Sequence, residues 1–315
     1  NILVEKLLKN NFEVKIIDRF FYIDENLFIK NKRLTLIKED IRKIKKQEFD
    51  DVDVVIDLVN LGISPKGDTF FDKLTWEINH DSRVLNAKIS KERGVKHYLL
   101  ASSCSVYGFT KNNVICDENS KVDPQSTYAI AKVATENEVI KLCDDNFTVN
   151  CLRFPTVIGF SKRMRFDIIV NSMVYDCFKE KKIRVLRDGK QRRPFIHIND
   201  VADSYLFFIN YSNKKAINGE IYNVGSESNN INIIDLAKLV MKEMKVKEKI
   251  EWFGENPDDR SYFVSYNKIN SIGFEAKHSL ENGIHDVHNK LISGDLDKTD
   301  ETVSISWFQK LEAWK

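Results

Sequence analysis

The 315-residue chain lacks the features that mark membrane, secreted or metal-binding proteins. It has no apolar run of about 18 residues and no basic, apolar leader, so the sequence predicts neither a membrane span nor a signal peptide. Its five cysteines form no CxxC pair and show no metal-ligand spacing, and their odd number argues against a disulfide framework. We therefore expect a cytoplasmic protein without a metal site.

An excess of charge of one sign is also missing. Lys and Arg number 49 against 47 Asp and Glu, which gives a net charge of +2. No overall field would draw the protein to nucleic acid or to an anionic membrane, so any anion-binding site must be local. The 42% hydrophobic and 30% charged content is ordinary for a globular protein. We expect one large domain or two smaller ones.

A glycine-rich loop of the GxGxxG type is absent from the whole sequence. The chain begins at Asn1, without a methionine, in a segment with helical spacing, and the strand-like run 12–18 then ends on Asp18. In dinucleotide-binding folds such an acid accepts hydrogen bonds from the adenosine ribose, and the glycine loop opens the preceding helix. We predict that Asp18 binds NAD, although Arg19 leaves NADP open. We also expect a strand and glycine loop before Asn1, which would make this sequence a fragment.

Short β-rich runs alternate with helical patterns through the first half of the chain. The runs are 12–18, 34–38, 52–59, 97–103 and 147–154. This alternation predicts a Rossmann-type, doubly wound parallel sheet of the α/β class. After Pro155 the pattern loosens into isolated strands among helices, which predicts a smaller α+β substrate domain. We place the two domains at 1–159 and 160–315, with a strand near 220–225 returning to the main sheet.

Three side chains around the run 97–103 have spacings that make chemical sense together. Ser103 ends that apolar run, at the edge of a parallel sheet where ligands bind. Tyr128 and Lys132 are four residues apart in a helical segment, so both project from one face. A nearby ammonium favours the phenolate of a tyrosine, which can then take the proton of a substrate hydroxyl. We predict a hydride-transfer triad.

Five sequence blocks in order resemble the extended short-chain dehydrogenase/reductases, in particular the NAD-dependent epimerase/dehydratase family of nucleotide-sugar enzymes. The blocks are SSCSVYG (102–108), STYAIAK (126–132), LRFPTVIG (152–159), RRPFIHINDVA (192–202) and YNVGS (222–226). The resemblance spans essentially the whole chain. It implies a Rossmann domain, bound NAD and a nucleotide-diphosphate sugar as substrate.

The resemblance also implies roles for individual residues. Ser103 is then the serine/threonine member of the triad, Tyr128 the base and Lys132 its partner. The further cofactor contacts that it implies are Asp40 and Ile41 at the adenine, Leu58 and Val59 through their backbone, and Pro155 near the nicotinamide.

Arginines of the second half are implied to grip the substrate. Arg193 and Arg260 resemble family arginines that clamp the substrate diphosphate, a task that suits the guanidinium fork. Arg163, Arg165 and Asn171 occupy the segment where relatives line the sugar and diphosphate site, and this segment also resembles a branch that acts on GDP-heptose-type sugars. Elsewhere such arginines are usually solvated, and His197 is expected to be a packed strand residue.

Two residues after Ser103 narrow the expected reaction. Family 4,6-dehydratases carry an Asp-Glu pair there, and related 3,5-epimerases carry a catalytic cysteine at the second position, whereas this chain has Cys104 and Ser105. A shift of one residue along a strand turns a side chain to the other face, so Cys104 is expected to pack. The pattern favours 4-epimerisation through a 4-keto intermediate. A nucleotide-sugar 4-dehydrogenase or reductase, and a non-catalytic nucleotide-sugar or NAD-binding protein, remain alternatives, and the family implies a homodimer.

Overall fold

The structure is a computed structural model that describes residues 1–21, 28–62, 69–110, 114–254 and 260–304. The chain divides into two compact units. The first unit comprises Asn1–Val106, Pro124–Phe154 and Ala202–Asn223, and the second unit comprises Tyr107–Asp123, Pro155–Val201 and the chain from Val224 onward. The predicted assignment of 1–159 and 160–315 to cofactor and substrate domains stays a prediction. Residues 107–123 of the first half belong to the second unit, and residues 202–223 of the second half belong to the first unit.

The first unit contains two parallel sheets and the helices packed on them. Its strands are β1 (Val14–Asp18), β2 (Leu34–Lys38), β3 (Val54–Asp57), β4 (His97–Ser103), β6 (Thr148–Phe154) and β10 (Glu220–Asn223). Its helices are α1 (Ile2–Lys9), α2 (Thr69–Trp76), α3 (Ser82–Glu92), α4 (Thr127–Val139), α7 (Lys214–Ile217) and most of α6 (Ile198–Asn210).

The larger sheet has the order β10-β6-β4-β3, and all its neighbouring strands are parallel. Asp57 pairs in register with Leu100, and Ser103 pairs with Phe154, so the carboxyl ends of β3, β4 and β6 lie along one edge. The strand predicted near 220–225 is β10, which extends this sheet beside β6. Strands β1 and β2 form a separate pair, and no ladder among the described residues joins them to the larger sheet. The strand expected before Asn1 lies outside this chain and stays a prediction.

One face of the larger sheet is covered by α3 and α4. Tyr98, Leu100 and Val149 of the sheet pack there against Ala87 of α3 and Val139 of α4. Helix α4 begins where Ser126 caps it, because the Ser126 side chain accepts the backbone N–H of Ala129 at 3.2 Å. The cap fixes the first turn of α4, in which Tyr128 lies.

The second unit contains short sheets and a helical core. Its strands are β5 (Ile115–Cys116), β7 (Thr156–Ile158), β8 (Ile183–Leu186), β9 (Arg192–His197), β11 (Asn230–Asn232), β12 (Ile250–Phe253) and β13 (Phe263–Val264). Its helices are α5 (Ile169–Glu180), α8 (Ile233–Glu243), α9 (Asn267–Ser271) and α10 (Leu280–Ile292). Helices α5, α8 and α10 share one apolar cluster.

Strand β9 begins at Arg192, because Ile231 and Asn232 of β11 pair with Arg193 and Arg192. Within the described residues, none of the helices is both long enough and apolar enough to cross a bilayer.

Candidate functional site

Lys132 anchors helix α4 to the end of strand β4. Its side chain is buried, and its ammonium donates a hydrogen bond to the backbone carbonyl of Ala101 at 3.0 Å. Ala101 lies two residues before Ser103 in β4. The bond therefore fixes the helix that carries Tyr128 against the strand end that carries Ser103.

The Lys132 ammonium lies beside Tyr128 on the same face of α4. Its nitrogen is 5.4 Å from the centre of the Tyr128 ring, a distance at which an ammonium is attracted to an aromatic face. Burial, and then the positive charge of Arg83, lower the pKa of Lys132 well below its ordinary value. A half-buried phenol and a buried ammonium are thus paired, as the spacing of the two residues predicted.

Ser103 ends β4, and a short helix over 104–107 follows it directly. The Ser103 hydroxyl oxygen accepts the backbone N–H of Ser105 at 3.2 Å. Cys104 is fully buried, and its thiol donates to the carbonyl of Arg153 at 3.3 Å, which confirms that it packs. The Ser105 hydroxyl is buried and has no hydrogen-bond partner among the described residues.

A buried carboxylate holds α4 to two strands one turn beyond Lys132. Glu136 accepts two hydrogen bonds from the Arg153 guanidinium of β6, at 2.9 and 2.7 Å, and a third from the hydroxyl of Ser102 in β4. The side chains of Glu136 and Arg153 are only 1% and 5% exposed. This pair fixes the position of the helix relative to the sheet, and the sequence analysis did not single it out.

A second buried ion pair lies at the end of β3. The Arg83 guanidinium donates to the carboxylate of Asp57 at 2.8 Å and to the carbonyls of Asp57 and Ala101, both at 3.0 Å. The hydroxyl of Tyr98 donates to the same carboxylate at 2.8 Å. Sequence reasoning missed these residues, but it had a signal: Asp57 is an acid at the end of an apolar strand, as Asp18 is.

The residues predicted to contact the adenosine lie at the ends of β1 and β2. Asp18 is exposed, and one of its carboxylate oxygens accepts the backbone N–H of Phe20 at 2.7 Å. Asp40 forms ion pairs with Arg19 at 3.1 Å and with Arg42 at 2.7 Å. Burial alone would raise the pKa of Asp40, but the hydrogen bonds and charge of Arg42 outweigh this and lower the pKa.

The remaining predicted cofactor contacts have the following positions. Ile41 begins a short helix, and its carbonyl accepts the Asn86 amide at 3.1 Å. Leu58 follows β3 with half of its surface exposed, and the N–H of Val59 donates to the Asp57 carboxylate at 3.2 Å. Pro155, in the second unit, is buried directly after β6. These positions leave the predicted roles as predictions.

The predicted substrate residues near α5 form hydrogen bonds with other residues of the second unit. Arg165 forms a two-pronged ion pair with Asp167, at 3.1 and 2.7 Å. Arg163 donates to the hydroxyl of Ser304 at 2.8 Å. Asn171 is buried in α5; its amide nitrogen donates to the Arg165 carbonyl at 3.0 Å, and its amide oxygen has no partner among the described residues.

The structure brings the two predicted diphosphate arginines together. Arg193 is buried in β9 and donates to its neighbour's carbonyl, that of Arg192, at 3.0 Å, and to the carbonyl of Arg260. Arg260 is exposed. His197 is buried at the end of β9, and its ring nitrogen lies 3.0 Å from the carboxylate of Asp286, which confirms that it is a packed strand residue. Gly159 has a φ of +100° and lies so close to this ring that a β-carbon would be 2.7 Å from it.

The sequence profile of the NAD dependent epimerase/dehydratase family matches residues 1–225. The chain belongs to this family. Membership confirms the resemblance seen in the sequence blocks, identifies the protein as an enzyme and confirms NAD as its cofactor.

Individual relatives agree with the family assignment. The chain is 26% identical over 300 residues to a putative UDP-glucose 4-epimerase of Methanocaldococcus jannaschii, an alignment that covers 91% of this chain and 93% of the relative. It is 24% identical over 315 residues to the ADP-L-glycero-D-manno-heptose-6-epimerase of Fusobacterium nucleatum, covering 90% and 92%. The solved UDP-glucose 4-epimerase of Thermotoga maritima with UDP-glucose is 18% identical, with a TM-score of 0.80 over 93% and 95% of the two chains. That likeness confirms the Rossmann-type fold.

The first unit fits the cofactor of its family. An ammonium carries three N–H groups, whereas Ala101 supplies the only acceptor for buried Lys132 among the described residues. The other N–H groups of Lys132 can therefore hold ribose hydroxyls. The exposed carboxylate of Asp18 at its strand end can accept the hydroxyls of the second ribose.

Proposed function

We propose that the protein is a cytoplasmic, NAD-dependent nucleotide-sugar epimerase that inverts C4 through a 4-keto intermediate. The observation that carries this proposal is the buried ammonium of Lys132, fixed on the Ala101 carbonyl and 5.4 Å from the Tyr128 ring. Mere binding of a nucleotide does not need a phenol paired with a buried ammonium. The M. jannaschii relative aligns with this chain over nearly its whole length and is named a putative UDP-glucose 4-epimerase. Its name supports C4 as the carbon that is inverted.

Tyr128 supplies the base in this proposal. The positive charge of Lys132 favours the phenolate, which takes the proton of the substrate hydroxyl as the carbinol becomes a ketone. Bound NAD would supply the hydride acceptor and donor for that carbon. Tyr128 then returns the proton to the re-formed hydroxyl. Rotation of the keto sugar between the two hydride transfers inverts the carbon.

Ser103 positions the reacting oxygen. Its hydroxyl oxygen already accepts the N–H of Ser105 at 3.2 Å, so its hydrogen can be donated to the substrate oxygen. A donor at this place stabilises the oxygen as its proton leaves and holds the ketone while the sugar turns.

The side chains after Ser103 favour epimerisation over dehydration. Elimination of water needs an additional acid and base, and neither Cys104 nor Ser105 carries a carboxylate. Cys104 is fully buried and bonded to a backbone carbonyl, so it cannot act on a substrate. Oxidation and re-reduction of one carbinol need no acid or base beyond the triad, with bound NAD as the hydride acceptor and donor.

The arginines of the second unit form the proposed grip on the nucleotide diphosphate. Arg193 and Arg260 meet through a hydrogen bond to the Arg260 backbone, so their segments are fixed together. Arg163, Arg165 and Asn171 are proposed to line the sugar and diphosphate. The buried amide oxygen of Asn171 lacks a partner among the described residues and can accept a substrate hydroxyl.

We extend the proposal to a homodimer built from α3 and α4. Both helices carry large exposed apolar side chains, Leu85 on α3 and Ile130 on α4, each about half exposed. A second copy of the chain would cover them. The small residue Ala134 on α4 is partly exposed and would permit close helix packing.

The F. nucleatum relative favours a second candidate within the same chemistry. That protein is named a heptose 6-epimerase and aligns over 90% of this chain. The triad could oxidise and re-reduce C6 of a heptose in the same manner, because the carbon presented to Tyr128 depends on how the sugar is held.

The proposal is tested with the full-length protein, NAD and a panel of UDP-, ADP- and GDP-sugars. We expect an inverted product without accumulation of NADH, and a loss of at least about 100-fold in turnover for Tyr128→Phe, with nucleotide-sugar binding retained. Tyr211→Phe removes a phenol outside the triad and should retain turnover. Net NADH with a keto product would identify a dehydrogenase instead. Full activity of Tyr128→Phe would overturn the proposal.

A further inference from the structure

Arg83 is a fully buried cation directly beneath the catalytic pair, and the mechanism above does not use it. It projects from α3, its side chain is 0% exposed, and its partner Asp57 is 3% exposed. One guanidinium nitrogen bridges two adjacent strands, since it donates to the carbonyls of Asp57 in β3 and Ala101 in β4 at 3.0 Å each. A buried ion pair seldom adds stability compared with apolar residues of the same size, so its presence here calls for a functional explanation.

The carbonyl of Ala101 joins Arg83 to Lys132. Both cations donate to this single oxygen at 3.0 Å, so one acceptor atom lies between the Arg83 and Lys132 nitrogens. The remaining NH₂ group of Arg83 has no hydrogen-bond partner among the described residues. Arg83 thus fixes the acceptor that orients Lys132, and it also places a second positive charge within the same few ångströms.

We infer that Arg83 is a positioning residue of the triad: it holds the Ala101 carbonyl on which Lys132 is seated and adds a fixed positive charge beside the Lys132 and Tyr128 pair. The electrostatic part of this inference concerns the chain alone. Its consequence for turnover rests on the proposed function.

The charges around the pair are consistent with this role. The groups that interact electrostatically with Arg83 or Lys132 are Asp57 of β3, Tyr98 of β4, Tyr128 and Glu136 of α4, Cys151 of β6, and Tyr205 of α6. After burial, Arg83 is the strongest influence that lowers the pKa of Lys132, and it outweighs the opposing effect of Asp57. Arg83 and Tyr128 also interact electrostatically. A cation that is stabilised by a neighbouring phenolate favours that phenolate in return.

The sign of the effect follows directly. Removing a positive charge makes every neighbouring acid harder to deprotonate, so loss of Arg83 should raise the pKa of Tyr128 and of Lys132 together. The double variant Asp57→Asn with Arg83→Met leaves no uncompensated buried charge. Because Asp57→Asn by itself acts in the opposite direction, we expect the Tyr128 phenol of the double variant to titrate above that of Asp57→Asn alone, and both limbs of the pH profile of turnover to move the same way. Arg83→Lys keeps the positive charge but lacks the planar fork of the guanidinium, so only its Tyr128 titration should stay close to wild type.

The test is a pH titration of tyrosinate absorbance in the ultraviolet. Wild type and each variant are titrated with and without Tyr128→Phe, and the difference between the two curves gives the titration of Tyr128. It needs neither substrate nor turnover. A Tyr128 titration in the folded double variant that does not lie above that of Asp57→Asn alone overturns the inference.

Asp57→Asn alone tests the same electrostatics with the opposite sign, because it leaves the charge of Arg83 unbalanced and should lower the Tyr128 pKa. A rise, or no change, in that variant also overturns the inference. A shifted phenol in a protein that turns over no nucleotide sugar would instead count against the proposed function, so the two failures are distinguishable.

Discussion

Two buried arginine ion pairs of the first unit differ from one local arginine ion pair of the second unit. In the first unit, Arg83 and Arg153 reach carboxylates 26 and 17 residues away, and these side chains are at most 5% exposed. In the second unit, Arg165 pairs with Asp167 only two residues away, and the two side chains are 24% and 12% exposed. The Arg83 and Arg153 ion pairs hold separate elements in one geometry. An arginine in a local, partly hydrated pair holds little of the fold and can exchange its partner for a ligand.

The largest expected loss of stability follows from a substitution of Glu136. Glu136→Gln leaves the Arg153 guanidinium buried without its counter-charge, which costs about 3 to 5 kcal/mol of the free energy of unfolding. Urea denaturation measures this loss. The matched control is Glu138→Gln on the same helix, where the carboxylate is 45% exposed, and its effect should be below about 1 kcal/mol. Equal effects of the two variants would mean that the buried pair does not hold α4.

Acid should weaken the first unit through His97. This histidine is 2% exposed in β4 and bonded to the Asn150 side chain at 2.8 Å; burial lowers its pKa to about 4. His97 therefore becomes protonated near pH 6.5 in the unfolded chain but only near pH 4 in the folded chain. The free energy of unfolding is unaffected by this group above about pH 6.5 and declines as the pH falls toward 4. The loss reaches up to about 3 kcal/mol.

His97→Gln checks this prediction, because glutamine cannot take up the proton. The variant should lose much of the decline in stability between pH 6.5 and 4 that wild type shows. Comparison of the two proteins at pH 8, where the imidazole is neutral in both states, corrects for altered packing. The same slope in both proteins would show that His97 does not contribute.

The smallest effect on stability is expected at Arg165. Arg165→Gln should change the free energy of unfolding by less than about 1 kcal/mol, because its ion pair is local and partly hydrated. If Arg165 binds the nucleotide sugar as proposed, the same variant should raise KM more than it lowers kcat. Steady-state kinetics measures the change in KM, and thermal unfolding measures the change in stability. A large loss of stability with an unchanged KM would contradict the role assigned to the local ion pair.

Local patterns in the sequence were sufficient for the parallel sheet and for the pairing of Tyr128 with Lys132. Strand β4 occupies the predicted run 97–103, and Tyr128 and Lys132 share one helix face, because strand and helix periodicity fix such relations over a few residues. The Asp57 and Arg83 pair was not predictable in this way. Its partners are distant in the sequence and meet only when α3 packs on the sheet. Helix α10 was missed in the irregular second half, although it packs firmly against α5 and α8.

The most direct test of the central claim follows the hydrogen at C4 through a turnover of the full-length protein. The substrates are UDP-, ADP- and GDP-sugars that carry deuterium at C4. The account predicts an inverted product that keeps its deuterium, with no accumulation of NADH, because the hydrogen leaves C4 as hydride and returns to the same carbon. Loss of the deuterium to solvent, a keto product with stoichiometric NADH, or no turnover of any member of the panel would contradict it.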